Sequence, residues 1–426
     1  MKRVLILTYY WPPAGGPGVQ RWLKFVTYLK EFGIEPIVFV PENPNYPLID
    51  SEIISEVPKD IEVVKFPIKE PYKLAKLFSK KKTKKMSSGV IPSEKPSVLE
   101  KMMLYVRGNY FIPDARVGWV KPSVAFLKTY LSEQKIDTIV TSGPPHSLHL
   151  IGMELQKLIG VKWLADFRDP WTTIHYHASL RLKASSEKKH KTLEKQVLRA
   201  ADRVVVTSPS TKKEFEAITE KPVKVITNGY EETEAVYPVL DDTFSLVHIG
   251  SLLSKRNPLV LWKVLQEIAS EHSDFKKDLE IKLAGVVSED VLKSITDFDL
   301  HHNVSNLGYV PHSKAIQLQH NAQVLLLVEM DTPETKAIIP GKFFEYLIAH
   351  RPIVALGPKG SDVETIMNLT KSGAYFSYAD SENLKKTLLK YYQLFKEDSL
   401  TITSEGIKKY SRKALTKQMA GLLHEL

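Results

Sequence analysis

Apolar residues along this chain come in two alternating rhythms. Short unbroken runs are separated by longer stretches in which apolar positions recur every three or four residues. The runs suit strands buried on both faces, and the longer stretches suit amphipathic helices. In the first half the pattern predicts strands over 4–8, 36–40, 61–65, 138–141, 162–166, 203–207 and 223–226. Helices are predicted over 20–32, 121–133, 147–159, 181–200 and 211–219, the first with Trp22, Leu23, Val26 and Leu29 on one face. The turn signal Asn228-Gly229 follows. The stretch 230–242 is then acidic, carries Pro238 and lacks periodicity, which predicts a linker.

A second series begins after it. Strands are predicted over 245–249, 280–284, 304–307, 324–328 and 353–356. Helices are predicted over 259–269, 291–295, 313–320, 341–349, 364–369, 381–395 and 407–426. Alternation of strand and helix predicts parallel α/β sheets, and no internal repeat is evident beyond it. The fold class is therefore α/β, with two Rossmann-like doubly wound domains facing across a cleft. In such sheets ligands sit outside the carboxyl ends of the strands.

The length of 426 residues accommodates two domains, and 43% hydrophobic with 25% charged residues describes a soluble globular chain. There is no cysteine, which excludes disulfides, zinc–thiolate sites and thiol catalysis and fits a reducing cytoplasm. The charged start Met1-Lys2-Arg3 precedes an apolar run too short for a signal peptide, and no segment approaches the roughly 18 apolar residues of a membrane span. The net charge of +10 makes polyanions natural partners: nucleic acid, an anionic membrane surface or phosphorylated substrates. Part of the excess is local, in Lys73, Lys76, Lys80, Lys81, Lys82, Lys84 and Lys85. With Tyr72, Leu74, Leu77 and Phe78 interleaved, the segment from Lys73 to Lys85 suits an anionic membrane surface; a solvated loop is the plainer reading. No nucleic-acid motif accompanies it, so a polyanion-binding protein without enzymatic activity rests on charge alone.

Candidate chemistry gathers where strands end. The run Pro340-Gly341-Lys342-Phe343-Phe344-Glu345 reads as a loop opening a helix. A helix start attracts an anion, Lys342 adds charge, and Glu345 one turn on can grip a diol. An ordinary αβ unit with a surface Lys and Glu is the alternative. The strand over 245–249 ends in Gly250-Ser251, with Lys255 and Arg256 just before a helix. Arg256 suits bidentate phosphate binding and Lys255 point-charge neutralisation, against a solvated Lys–Arg pair. The loop Gly15-Gly16 allows close backbone approach but matches neither a dinucleotide fingerprint nor a Walker A loop. His146 stands at a strand end near a helix start, where it positions a hydroxyl or caps the helix. Asp166, Arg168 and Asp169 follow an apolar strand directly, a costly placement unless they pair or face a cleft. They make either an internal bridge from Arg168 to Asp166 or Asp169, or an active-site carboxylate held by Arg168.

Together these residues resemble family 4 glycosyltransferases of the GT-B fold, over nearly the whole chain. The matching features are Gly15-Gly16, the stretch from Asp166 to Trp171, Asn228-Gly229, the loop from Gly250 to Pro258, and Pro340-Gly341-Lys342 through Glu345-Tyr346. The resemblance implies an N-terminal acceptor-binding domain over 1–235, a donor-binding domain over 236–405, and a terminal helix over 406–426 packing back on the first. It implies sugar transfer from a nucleotide diphosphate sugar, UDP by family habit, to a glycan or lipid-linked acceptor in cell-surface polysaccharide synthesis. Retained configuration, no metal and no other cofactor belong to the same implication. So does a cytoplasmic enzyme peripheral to the inner face of a membrane.

By resemblance, Arg256 and Lys255 meet the diphosphate beside Gly250 and Ser251. Glu345 holds the ribose, Lys342 and Gly341 lie near the donor phosphates or sugar, and Gly15 and Gly16 lie under the diphosphate and acceptor. His146, Asp166, Arg168 and Asp169 are the candidate catalytic residues. The sequence departs from the family pattern in three places. Ala337 stands where a glutamate often precedes the ribose-binding one by eight residues, with Glu334 nearby. Ser251 replaces a basic residue, and the family's first-domain histidine has no clear counterpart. A nucleotide-sugar 2-epimerase on the same fold is the alternative enzyme, and it needs carboxylates for proton abstraction.

Overall fold

The computed structural model describes residues 1–70, 98–174, 177–232 and 238–426, and the segment from Lys73 to Lys85 lies outside them. The chain forms two compact units, Met1–Thr227 with Arg412–Leu426, and Asn228–Ser411. In the first, strands β1 (Lys2–Leu7), β2 (Ile34–Pro41), β3 (Glu62–Phe66), β4 (Thr138–Gly143), β5 (Lys162–Phe167), β6 (Arg203–Val206) and β7 (Val223–Val225) make a parallel sheet ordered β3-β2-β1-β4-β5-β6-β7. Its helices are α1 (Pro17–Leu29), α2 (Val98–Tyr110), α3 (Val120–Glu133), α4 (Ser147–Ile159), α5 (Ala184–Ala200) and α6 (Pro209–Glu216).

Alternation along β1 explains the layers. Side chains on a strand point to opposite faces in turn. Val4 and Ile6 therefore join a cluster with Trp22, Leu23 and Val26 of α1, while Leu5 and Leu7 join Leu127 of α3 and Ile151 of α4. All of these are fully buried, each contributing roughly 1.5–3 kcal/mol of burial.

The second unit repeats the plan. Strands β8 (Phe244–Ile249), β9 (Leu279–Ala284), β10 (Val304–Gly308), β11 (Val324–Val328), β12 (Ile353–Leu356) and β13 (Gly373–Phe376) are ordered β10-β9-β8-β11-β12-β13. Helices α7 (Leu259–Glu271), α8 (Ser273–Asp278), α9 (Glu289–Asp297), α10 (His312–Asn321), α11 (Gly341–Ile348), α12 (Asp362–Thr370) and α13 (Ser381–Lys396) flank them. Leu246 and Leu326 face α7 and α13, whereas Val247 and Leu325 face α11 and α12. Both units are Rossmann-like, with strand order reversing beside the first strand, at β1/β4 and β8/β11. The loops leaving those strands are the switch points where ligands of such sheets collect.

The predicted terminal helix divides. Residues Ile407–Tyr410 form a single 3-10 turn whose Tyr410 packs 5.4 Å from Phe344 in the second unit. Ser411 is extended, and α14 (Arg412–His424) then packs on α1 in the first unit. Among the described residues no helix is long and apolar enough to cross a membrane.

Candidate functional site

In the second unit the exits of β8, β9 and β10 are glycines. Gly250 has φ +104° and Gly285 φ +140°, and a Cβ on Gly285 would collide with the Gly250 carbonyl. No L side chain fits there, so the strand ends meet backbone to backbone. The Gly250 amide donates to Ala284 O and the Gly285 amide to Gly308 O, each at 2.7 Å. The result is a shelf of open backbone at the carboxyl edge of the sheet.

Lys342, in the first turn of α11, reaches onto this shelf. Its amine donates to Ile249 O at 2.5 Å and to His248 Nε2 at 3.3 Å. His248 Nδ1 donates to Leu326 O at 3.1 Å, which leaves Nε2 as the acceptor. Burial, with Lys342 and Arg256 adding to it, holds the His248 ring well below the usual histidine range, so it stays neutral. Burial, then the charge of Arg256, hold the Lys342 amine down to about 7 despite Glu329 and Glu345. Arg256 is half-buried on the β8 loop; burial lowers its pKa, and Glu329 and Tyr378 oppose that.

Glu329 is the first residue after β11 and is 5% exposed. It accepts from Tyr375 Oη at 2.8 Å and Ser361 Oγ at 3.2 Å, and Tyr378 Oη donates to its backbone oxygen at 2.7 Å. Burial pushes its carboxyl up to about 7, against those hydrogen bonds and Arg256. Glu345 accepts from Gln319 Nε2 at 3.1 Å and lies 3.2 Å from His312 Nε2. Gly341 has open space where a Cβ would stand. The fold thus gathers Gly250, Arg256, Lys342 and Glu329, with Glu345 one turn along α11. Lys255 and Ser251 are exposed on the loop. Two cations, a glycine shelf and a helix start are the chemistry of an anion site.

In the first unit Gly15 is a packing glycine, since a Cβ there would lie 3.0 Å from Leu48. Gly16, at φ +99°, precedes α1 with open space beside it. Arg168 turns away from Asp166: it donates to Pro144 O, lies 5.5 Å over the Tyr10 ring and crosses Gly18, where any side chain would displace it. Of the readings open for this stretch, a bridge from Arg168 to Asp166 is thereby corrected: Asp166 pairs with Arg21 instead. Asp166 is fully buried and accepts from Arg21 Nη2 at 2.7 Å, Trp22 Nε1 at 2.8 Å and Ser142 Oγ at 2.9 Å. Burial alone would raise its carboxyl, yet Arg21 and the hydrogen bonds from Arg21, Trp22 and Ser142 hold it below the ordinary value. A carboxylate sealed in this way ties β5 to α1 and β4 and does not meet a substrate. The carboxylate pair that a 2-epimerase needs therefore loses Asp166.

Asp169 and His146 do face open space. They border a cavity of about 230 Å³ with Tyr10, Trp171 and His177. His146 stacks on Trp171 at 4.9 Å and 2°. His190 Nδ1 accepts from Trp171 Nε1 at 3.1 Å and so anchors that ring. Glu329, His177, His190 and Arg21 were not singled out from sequence. Glu329 carried the signal that marked Asp166, a charge directly after an apolar run; the others had none, because their partners are distant in the chain.

Residues 90–234 match the model of Glycosyltransferase Family 4. No curated protein matches the chain. Among solved structures, HepE of Anabaena in complex with UDP and glucose aligns over 100% of both chains at 13% identity, TM-score 0.63. Sucrose-phosphate synthase of Thermosynechococcus elongatus aligns over 100% of this chain and 99% of its own at 15% identity, TM-score 0.62. WaaG, a glycosyltransferase involved in lipopolysaccharide biosynthesis, aligns over 99% of each at 11% identity, TM-score 0.56. At these identities the likeness speaks for the fold. The chain therefore has the GT-B fold of these structures, with the match to Glycosyltransferase Family 4 confined to residues 90–234.

Proposed function

We propose that the chain is a glycosyltransferase that takes a UDP-linked sugar in its second unit and transfers it, with retained configuration and without a metal, to a glycan or lipid-linked acceptor. The observation that carries the reading is the convergence of Lys342 and Arg256 on the glycine shelf at the β8/β11 switch point. Two cations there do the charge neutralisation that a departing diphosphate requires. Glu345, half-exposed and held by Gln319, is placed to accept from ribose hydroxyls. Uridine is supported by HepE, whose structure holds UDP and glucose. A role in surface glycan synthesis is supported by the likeness to WaaG, and a place at the inner membrane face by the lysines from Lys73 to Lys85.

Calorimetric titration with UDP, GDP, ADP and CMP in EDTA tests it. Micromolar UDP binding is expected. Arg256→Ala and Glu345→Ala each remove a partner of the nucleotide worth roughly 1.5–3 kcal/mol, or about ten- to a hundredfold in affinity. Wild-type UDP affinity in both variants would overturn the assignment of these residues. Absence of binding by every nucleotide would overturn the donor reading.

A further inference from the structure

Glu345 meets a partner on each of its two oxygens, and both partners come from α10. His312 Nε2 lies 3.2 Å from Oε1, and Gln319 Nε2 donates to Oε2 at 3.1 Å. An ionised carboxylate only accepts, so Nε2 is the donor of the histidine pair as well. His312 opens α10 and Gln319 lies about two helical turns on, so the two share one face and stand roughly 10 Å apart along the axis. Ala315, between them on that face, carries only a methyl group. The carboxylate is held between the two ends. The outer partner has its side chain 74% exposed, and the inner one is fully buried.

The buried amide shows what the arrangement is for. Gln319 Oε1 has no hydrogen-bond partner among the described residues, although buried amide oxygens are ordinarily satisfied. Turning the amide over would set that oxygen against the carboxylate, acceptor against acceptor. Glu345 thus dictates the orientation, and Oε1 goes without. An ionised carboxylate offers about four lone-pair sites, two on each oxygen. Gln319 takes one and His312 another, which leaves one on each oxygen, side by side. We propose that Gln319 and His312 are positioning residues for the ribose of the nucleotide: they fix Glu345 so that each oxygen keeps one lone pair for one hydroxyl of a cis-diol. The inference rests on the donor reading, in which Glu345 follows Lys342 by one turn of α11 as a ribose follows its diphosphate. It goes further in making the site selective for ribonucleotides through two residues that need not touch the ligand.

The test is calorimetric titration of the full chain in EDTA with UDP, 2′-deoxy-UDP and 3′-deoxy-UDP. The wild type is expected to favour UDP over each deoxy analogue by about tenfold or more, as a hydrogen bond to a charged group allows. Gln319→Met keeps the length of the side chain without its donor. It and His312→Ala should each weaken UDP about fivefold or more and the deoxy analogues far less, so that the preference shrinks. An equal loss for all three nucleotides would mark a packing role and overturn the inference. Wild-type preference in both variants would overturn it too, as would a wild type that binds UDP without preference. Each of these leaves the donor reading intact, whereas a chain that binds none of the three overturns both. If Gln319→Met melts below the titration temperature, His312→Ala decides alone, because so exposed a side chain can be removed without unfolding the helix.

Discussion

Lys342 and Glu329 both titrate near 7, so at the scale of single residues nucleotide binding becomes a proton-coupled event. At pH 8 the free protein holds Lys342 mostly neutral and Glu329 mostly ionised. A diphosphate beside them favours the ammonium and disfavours the carboxylate, so each pKa rises and protons are taken up. UDP affinity therefore falls as pH rises above 7, by about tenfold per pH unit for each proton taken up. Calorimetry at pH 8 in buffers of unequal ionisation enthalpy measures the uptake. Lys342→Arg, which keeps the charge but does not titrate, removes one part, and Glu329→Gln removes the other. Wild-type binding without uptake would show that the anion does not sit against these groups. Asp166 shows how far such residues were legible. A charge behind an apolar strand announced the need for a partner, but not which one. Arg168, two residues away, looked sufficient, whereas the partner Arg21 is 145 positions distant and arrives only because α1 packs beside β5.

Elements were legible where periodicity ran long and partly illegible where it ran short. Helix α4 and strands β11 and β12 occur over the predicted residues, because their apolar faces are fully buried. Strand β13 escaped notice: it spans four residues at a sheet edge and opens on Gly373 at φ +150°, where a Cβ would strike Ile353. Helix α2 escaped because its apolar residues do not all turn inward; Val98, Met102, Val106 and Tyr110 are exposed. The lysines from Lys73 to Lys85 precede it in sequence. Deleting that segment is expected to reduce binding to vesicles containing phosphatidylserine severalfold, since each lysine near an anionic surface contributes about 1 kcal/mol. UDP affinity should not change. Equal vesicle binding with and without the segment would end the membrane reading.

At the scale of the molecule, the chain enters the first unit twice. Residues up to Thr227 build the sheet, and α14 returns after the second unit to lie on α1. Leu415, Met419, Leu422 and Leu423 of α14 join the cluster of Trp22, Leu23 and Val26, and Lys2 Nζ donates to Leu423 O at 2.8 Å. Burial of those four side chains at roughly 1.5–3 kcal/mol each rivals the roughly 5–15 kcal/mol that separates a typical folded domain from its unfolded chain. A chain ending at Ser411 should therefore lose the folded first unit or melt it far below its former temperature. The second unit keeps its own core, with Tyr410 still in place, and should melt as before. Scanning calorimetry separates the two: UDP raises the transition of the unit that binds it, and only that one, by mass action. Disappearance of the UDP-insensitive transition, with the UDP-sensitive one unmoved, is the expected outcome. If both transitions persist in the shortened chain, α14 rests on the first unit without holding it together. If the UDP-sensitive transition is the one lost, the nucleotide belongs to the first unit, and Lys342 and Arg256 serve something else.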